Sequence, residues 1–271
     1  MDAAAKRELI KEHIAACGPM IVSFSGGVDS SLLAVLAREV LGKKSRCIFL
    51  DSPVVPREAL EGARKIAQKY GLDLEVIPVS LMDDRRFRAN PPDRCYWCKK
   101  RSSALLKQRA EELGFACVAD GINVSDTREH RPGLIASTED GIVHPFLASG
   151  MTKEDIREIA RFSGLDFWDK PSAACLSSRI PYGVQINEGD LRMVEEAEAF
   201  LHSRGFAQVR VRAHGNVARI EVPPGDMQAL LAIHREVAEK IMSIGFVYVT
   251  LDLGGYRGGS MDEVLPKGNR P

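Results

Sequence analysis

The sequence predicts an α/β protein, an open parallel sheet with helices on its faces, followed by a smaller C-terminal α+β domain. Three observations carry this. Between residues 20 and 121, short β-rich runs alternate with helical runs, the pattern of right-handed βαβ units in one parallel sheet. The first of these strands runs directly into a glycine pair that opens a helix. Beyond residue 186 the order becomes helix, strand, strand, helix, strand, a set compatible with a small α+β fold.

The elements follow in chain order. MDAAAKRELIKEH reads as a charged amphipathic helix with Cys17 at its end. Strands are predicted at 20–24 (MIVSF), 45–51 (SRCIFLD), 72–80 (LDLEVIPVS) and 116–121 (ACVADG), and helices at 30–41, 56–70 and 94–113. Residues 134–146 read as a hairpin or loop. In TKEDIREIARFSG, Thr152 with Asp155 forms an N-cap signal and Gly164 a stop, so a first domain spans 1–165. Residues 166–185 have no sustained period and contain two prolines, reading as a long ordered loop of the kind that often carries function. The second domain, 186–271, contains helix 187–204, strands 208–214 and 217–222, helix 225–244 and strand 246–253. Its glycine-rich tail, GGYRGGSMDEVLPKGNRP, is expected to fray.

Composition narrows the function classes. Lys and Arg total 37 and Asp and Glu total 37 in 271 residues, with 45% hydrophobic and 27% charged, the balance of a globular protein and not of a disordered or collagen-like one. No run approaches the ~20 apolar residues of a membrane span and the N-terminus has no signal-like apolar region, so a cytoplasmic protein without membrane contact is expected. Zero net charge argues against global attraction to nucleic acid, although 85–109 carries nine Lys or Arg against one Asp. Six cysteines are too few for a disulfide scaffold. Cys17, Cys47 and Cys117 sit in apolar contexts and are expected to be buried, whereas Cys95, Cys98 and Cys175 have polar, basic neighbours.

The first strand, 20–24, runs straight into Ser25, Gly26, Gly27, Val28, Asp29 and Ser30, and Ser23 on the strand joins these six as a candidate cofactor-binding residue. Two glycines let the backbone turn tightly and bring its N–H groups onto an anion, and the following helix adds its positive dipole end. The loop lacks the lysine of a Walker A motif, which suits a grip on pyrophosphate through amides, the hydroxyls of Ser25 and Ser30, and a magnesium ion. SGGVDS on the first strand of a parallel sheet resembles the PP-loop of the ATP pyrophosphatases, enzymes that cleave ATP between its α and β phosphates and adenylate a substrate oxygen. That resemblance assigns ATP to the loop and Mg2+ to Asp29.

Three further strings, PDRCYWCKKR (92–101), GINVSDTREHRPG (121–133) and KPSAACLSSRIPYG (170–183), followed by VRVRAHGNVARIEV (209–222), resemble the LarE family of ATP-dependent sulfur transferases along nearly the whole chain. The resemblance implies conversion of the carboxylates of pyridinium-3,5-biscarboxylic acid mononucleotide to thiocarboxylates through an acyl-adenylate, a step towards the nickel-pincer nucleotide of lactate racemase and related enzymes. In one branch of that family the sulfur comes from a cysteine matched here by Cys175, which is left as dehydroalanine. In another, three cysteines hold a [4Fe-4S] cluster that carries the sulfur. Asp93 is a natural N-cap that places Cys95 and Cys98 on one face of a first helical turn, where the dipole and the neighbouring basic residues favour thiolate. With Cys175 as a third ligand, cluster binding by Cys95, Cys98 and Cys175 is the expectation, over zinc or no metal.

In VRVRAHGNVARIEV, Arg210, Arg212 and His214 alternate with apolar residues, and a two-residue turn at Gly215 and Asn216 sets Arg212 opposite Arg219 and Arg210 opposite Glu221. Two facing arginines cost stability unless an anion lies near; Arg210 with Glu221 is the expected ion pair. The resemblance assigns Arg210 and Arg212 to the substrate's phosphate or carboxylate, joined by Arg179, and Glu221 completes the candidate substrate-binding set. Glu198, at the edge of the apolar stripe Val194, Ala197, Leu201, is a candidate for acid–base work beside Cys175 and Asp29. Asp51 and Ser52 end the second strand, where open parallel sheets bind ligands, and suit adenine or ribose. Asn123 and Asp126 should border the phosphates. Trp97 is either a lid over the cluster or surface packing.

Two alternatives remain at this level: a cluster-dependent tRNA thiolation enzyme, which would need a basic RNA face, and a non-catalytic nucleotide-binding or iron–sulfur carrier protein, which would not need the full loop. The sulfur donor, sulfide or a cysteine desulfurase, is not legible. The resemblance implies a homo-oligomer, with a hexamer as candidate form.

Overall fold

The computed structural model describes residues 1–128, 132–171 and 174–265. Residues 129–131 and 172–173 of the motif strings, and 266–271 of the tail, lie outside the described residues. The chain forms two compact units, Met1–Leu81 with Asp93–Ala173, and Met82–Pro92 with Ala174–Pro271.

The first unit is built on four parallel strands, β1 (Met20–Ser23), β2 (Ser45–Asp51), β3 (Leu74–Pro78) and β4 (Cys117–Ala119), in the order β3-β2-β1-β4. Chain order reverses between β1 and β4, so the loops leaving these strands diverge and open a crevice at their carboxyl ends. β1 and β4 are shorter than predicted because their last residues leave the ladder there and become site loops. Strand alternation sorts the core: Met20, Val22, Cys47, Phe49 and Ala119 pack on one face, Ile21, Ile48 and Val118 on the other.

Helices α1 (Ala3–Cys17), α2 (Val28–Leu41) and α3 (Arg57–Lys69) precede the short α4 (Arg85–Arg88) of the second unit. They are followed by α5 (Arg94–Leu113), α6 (Pro132–Glu139), α7 (Pro145–Ala148) and α8 (Lys153–Phe162). Ile10 and Ile14 of α1, Leu32, Leu33 and Leu36 of α2, and Ile156 and Ile159 of α8 fill the first face, while Leu106 and Ala110 of α5 cover the other. The expected hairpin at 134–146 is replaced by α6, α7 and a single parallel bridge from Val143 to Ala119, since Ala136 and Phe146 bury themselves. α8 starts with a reciprocal box between Thr152 and Asp155, and Gly164 follows its end at φ 68°. Asp93 stands at the N-cap of α5 but its side chain makes no capping hydrogen bond. No described helix is long and apolar enough to cross a membrane. Cys47 is buried, but Cys17 and Cys117 are only half-buried; burial still pushes the thiols of Cys47 and Cys117 up to about 12.

The second unit pairs β5 (Arg210–His214) antiparallel with β6 (Val217–Glu221), and β6 parallel with β7 (Tyr248–Leu251). Leu191, Val194, Ala197 and Leu201 of α9 (Glu188–Ser203) supply its core. The single helix predicted at 225–244 is two, α10 (Met227–Ala232) and α11 (His234–Ile244): Ile233 leaves helical geometry (φ −109°, ψ 21°) and the His234 ring approaches the Leu231 carbonyl at 2.9 Å. Residues 82–92, read from sequence as first-domain, belong to this unit because Asn90, at φ 54°, gives its side-chain amide to the carbonyls of Ile180 and Pro181 (3.2 and 2.8 Å). The tail does not fray through residue 265: Ser260 and Met261 are buried and a 3-10 turn spans Ser260–Val264.

Candidate active site

The phosphate loop forms where β1 ends. Ser23 closes the strand, half-buried, and Phe24 adds one more ladder bond to the Ile48 carbonyl. Gly26 has φ 70°, and a Cβ there would lie 2.9 Å from the Ala63 Cβ, so only glycine permits both the turn and the approach of α3. The Ser30 hydroxyl accepts from the Ser25 amide (3.2 Å) and lies 3.0 Å from the Ser25 hydroxyl, fixing the loop's curvature. Gly27 occupies the N-cap position, and Val28, Asp29 and Ser30 form the first turn of α2.

The exit of β4 lies against this turn. A Cβ on Gly121 would come within 2.9 Å of the Ser30 amide nitrogen, and the Asn123 side-chain amide approaches the Asp29 carboxylate at 3.5 Å. Asp126 accepts from the Asn123 amide at 3.0 Å. Asp29, Asn123 and Asp126 are therefore brought together with the loop at the crevice, although Asn123 is fully buried. At the end of β2, Asp51 pairs with Arg57 (2.5 Å), and the buried Ser52 hydroxyl has no partner among the described residues.

Sequence reasoning missed Lys170. Its ammonium group donates to the Gly26 carbonyl at 2.9 Å, supplying from a distant segment the cation that SGGVDS lacks. Burial lowers its pKa, with the charge of Glu58 opposing. The turn carrying it is clamped by Arg157, which donates to the carbonyls of Trp168 and Lys170, both at 2.9 Å. The only hint in the sequence was the missing loop lysine beside an unexplained one in KPSAAC.

A second group escaped notice. Asp120, one residue past β4 and 5% exposed, takes Lys99 on one oxygen (2.6 Å) and the His144 ring on the other (2.6 Å), with the Ser137 hydroxyl at 3.1 Å. Burial pushes its carboxyl up, but His144 and Lys99 outweigh this and hold it at about 2. Lys99 lies one turn beyond Cys95, so this network ties the cysteine-bearing start of α5 to the strand beside the phosphate loop. Cys95 is exposed, Cys98 half-buried, and Trp97 is half-buried edge-on to Tyr96 (5.1 Å). These thiols are the soft donors an iron–sulfur cluster takes, but among the described residues no three or more His, Cys, Asp or Glu side chains are gathered for a metal ion.

In the second unit, exposed Cys175 precedes a 3-10 turn (Leu176–Arg179), its Sγ 3.3 Å from the Ser177 hydroxyl. Arg179, 2% exposed, donates two bonds to Glu198 (both 2.9 Å) and one to the Cys175 carbonyl (3.0 Å). Glu198 also accepts from the Val211 amide at 2.9 Å. The β5–β6 register sets Arg212 opposite Arg219, as the turn implied. The anion that relieves them is Glu221: it takes two bonds from Arg212 (3.1 and 2.8 Å) and one from Arg219 (2.9 Å). The expected pair of Glu221 with Arg210 is not made, because the fully buried carboxylate turns to these two arginines instead. Burial raises the Glu221 pKa, yet Arg212, Ser260 and Arg219 together bring it below the ordinary value. Arg210, half-buried, donates to its neighbour Val209's carbonyl (2.7 Å).

A family model described as NAD synthase matches residues 4–90. The chain is 39% identical over 97% of its length to an uncharacterized protein of Synechocystis, covering 98% of that protein. It is 36% identical over 91% of its length to a pyridinium-3,5-bisthiocarboxylic acid mononucleotide synthase of Lactiplantibacillus plantarum, covering 90% of that enzyme. An uncharacterized protein of Methanocaldococcus jannaschii is 34% identical over 88% of the chain, 90% of its own length being covered.

Proposed function

We infer the activity from one premise: the chain belongs to the LarE family, the pyridinium-3,5-bisthiocarboxylic acid mononucleotide synthases of the PP-loop class. It is an ATP-dependent sulfur transferase that turns carboxylates of pyridinium-3,5-biscarboxylic acid mononucleotide into thiocarboxylates. A carboxylate is a poor electrophile until one oxygen becomes a leaving group. Attack of that oxygen on the ATP α-phosphorus expels pyrophosphate; sulfur then adds to the acyl carbon and AMP departs.

The observation that supports the ATP half most directly is the loop from Ser25 to Ser30, with Gly26 in a turn that only glycine fits and Lys170 on its carbonyl. In this reading its amides and Lys170 hold the β and γ phosphates. Asp29, with Asn123 and Asp126 beside it, would hold Mg2+, whose charge would offset that developing on pyrophosphate; Asp51 and Ser52 would meet the nucleoside. Arg210, Arg212 and Arg179 would bind the substrate's oxyanions, with Glu221 holding Arg212 in place, since guanidinium matches phosphate and carboxylate bidentately. The finer reading is that Cys95, Cys98 and Cys175 ligate a [4Fe-4S] cluster, which would supply an iron with an open position for an extra sulfide. Its sulfur source would be sulfide or a cysteine desulfurase, and its product would serve lactate racemase or a related enzyme.

Asp29→Ala is the decisive test. With ATP and substrate present, pyrophosphate release should vanish while the far-UV circular dichroism spectrum stays native, because the change removes a phosphate-side carboxylate and no core contact. Unchanged turnover would overturn the assignment.

A further inference from the structure

Arg179 and Arg212 are both close enough for their charges to act on Arg210. These two are already matched, Arg179 by both oxygens of Glu198 and Arg212 by both oxygens of Glu221. Arg210 has no carboxylate within ion-pair distance among the described residues, and its one hydrogen bond goes to a backbone carbonyl. Burial and the charges of Arg179 and Arg212 disfavour this half-buried cation, the charge of Glu198 offsets them only in part, and an arriving anion would favour it. What holds it is a ring: the Arg210 guanidinium carbon lies 5.4 Å from the centroid of Tyr256.

The segment that delivers Tyr256 is built, although the sequence suggested a fraying tail. After β7 the Asp252 carboxylate accepts from the Gly254 amide (2.8 Å) and the Asp252 carbonyl from the Gly255 amide (3.0 Å). Gly255 has φ 70°, and a Cβ there would lie 3.1 Å from the Val222 carbonyl oxygen. The Tyr256 amide then donates to that carbonyl at 2.8 Å, fastening the turn to the end of β6. Further on, the Ser260 hydroxyl sits between Arg212 and Glu221, 2.9 Å from each. The segment thus meets the arginine face twice, with a ring on Arg210 and a hydroxyl on the Arg212–Glu221 pair.

The choice of an aromatic partner has a chemical consequence. A carboxylate would hold Arg210 by cancelling its charge. A ring face attracts the cation through its quadrupole and leaves both the charge and the in-plane N–H donors available to an oxyanion. We propose that Tyr256 is the positioning residue for Arg210, presenting the unmatched guanidinium of the cluster to a phosphate or carboxylate of the nucleotide substrate. This rests on the reading of Arg210 as a substrate contact.

The test compares Tyr256→Phe, which keeps the ring, with Tyr256→Leu, which keeps apolar bulk alone. Binding of pyridinium-3,5-biscarboxylic acid mononucleotide is followed by calorimetry, with steady-state constants for substrate and ATP. The phenylalanine variant should bind like the parent. The leucine variant should lose about three- to thirtyfold in substrate affinity, with the KM for ATP and the saturated kcat retained. In an Arg210→Ala background the leucine change should add nothing. Parental binding by Tyr256→Leu, beside weakened binding by Arg210→Ala, overturns the role of Tyr256 alone. Parental binding by Arg210→Ala overturns the substrate-site reading beneath it. Should the leucine variant fold poorly, the phenylalanine variant still decides, since lost binding with the ring present refutes the proposal.

Discussion

Replacing Glu198 with alanine should cost stability before it costs chemistry. The sequence made this residue a candidate acid or base, but in the structure it is 7% exposed and accepts from Arg179 Nε, Arg179 Nη2 and the Val211 amide, each at 2.9 Å. Truncation leaves a buried guanidinium without its counter-charge and a buried strand N–H without an acceptor. Removing one partner of such a pair costs about 3–5 kcal/mol, and the carbonyls of Ala174 and Cys175 remain on Arg179 Nη1 to limit the loss. At roughly 2–4 °C per kcal/mol for a chain of this size, the melting temperature should fall by about 6–20 °C. Thermal unfolding by circular dichroism measures it, with pyrophosphate release assayed well below the lowered transition. Arg179→Ala in the same background should recover part of the loss, because the uncompensated charge goes with it. Parental melting with turnover reduced about a hundredfold would show that the carboxylate does chemistry and that the ion-pair reasoning is wrong.

Lys170→Ala should raise the KM for ATP roughly tenfold or more, the worth of one charge-assisted contact, and leave binding of the pyridinium nucleotide unchanged; an unaffected ATP constant would remove the lysine from the phosphate site. Asp120 titrates at about 2 against an ordinary 3.8, a depressed carboxylate, so its stabilisation is complete above about pH 4 and is lost as pH falls towards about 2. That contribution is about 2 kcal/mol; urea midpoints of the parent should decline over this window, and Asp120→Asn should be weaker at neutral pH and lack that part of the decline. Serine at Cys95, Cys98 or Cys175 should remove most of the iron from anaerobically purified protein, and intact mass after several turnovers with sulfide should show no loss of hydrogen sulfide at Cys175. Iron-free protein that transfers one sulfur and gains dehydroalanine at that position would make the cysteine sacrificial.

The sequence by itself determined the parallel sheet, the glycine loop at the end of its first strand, the Thr152–Asp155 box and the register that faces Arg212 with Arg219. Each depends on residues within a few positions of one another: side-chain periodicity, a tight turn of fixed length, a cap reaching its own helix. It did not determine the partners of the charges. Lys170 reaches Gly26 across 144 positions of chain, and Glu221 turns from Arg210, its strand partner, to Arg212 and Arg219. Asn90 draws 82–92 to the loop of Ile180, and the glycine-rich tail, polar enough to read as solvent-exposed, is held by Ser260 between two buried charges. A buried ion or amide takes the partner that burial brings within hydrogen-bond distance, and that distance is set by packing between segments remote in sequence. Only the tertiary structure decided which arginine of β5 pairs with Glu221 and which bonds only a backbone carbonyl.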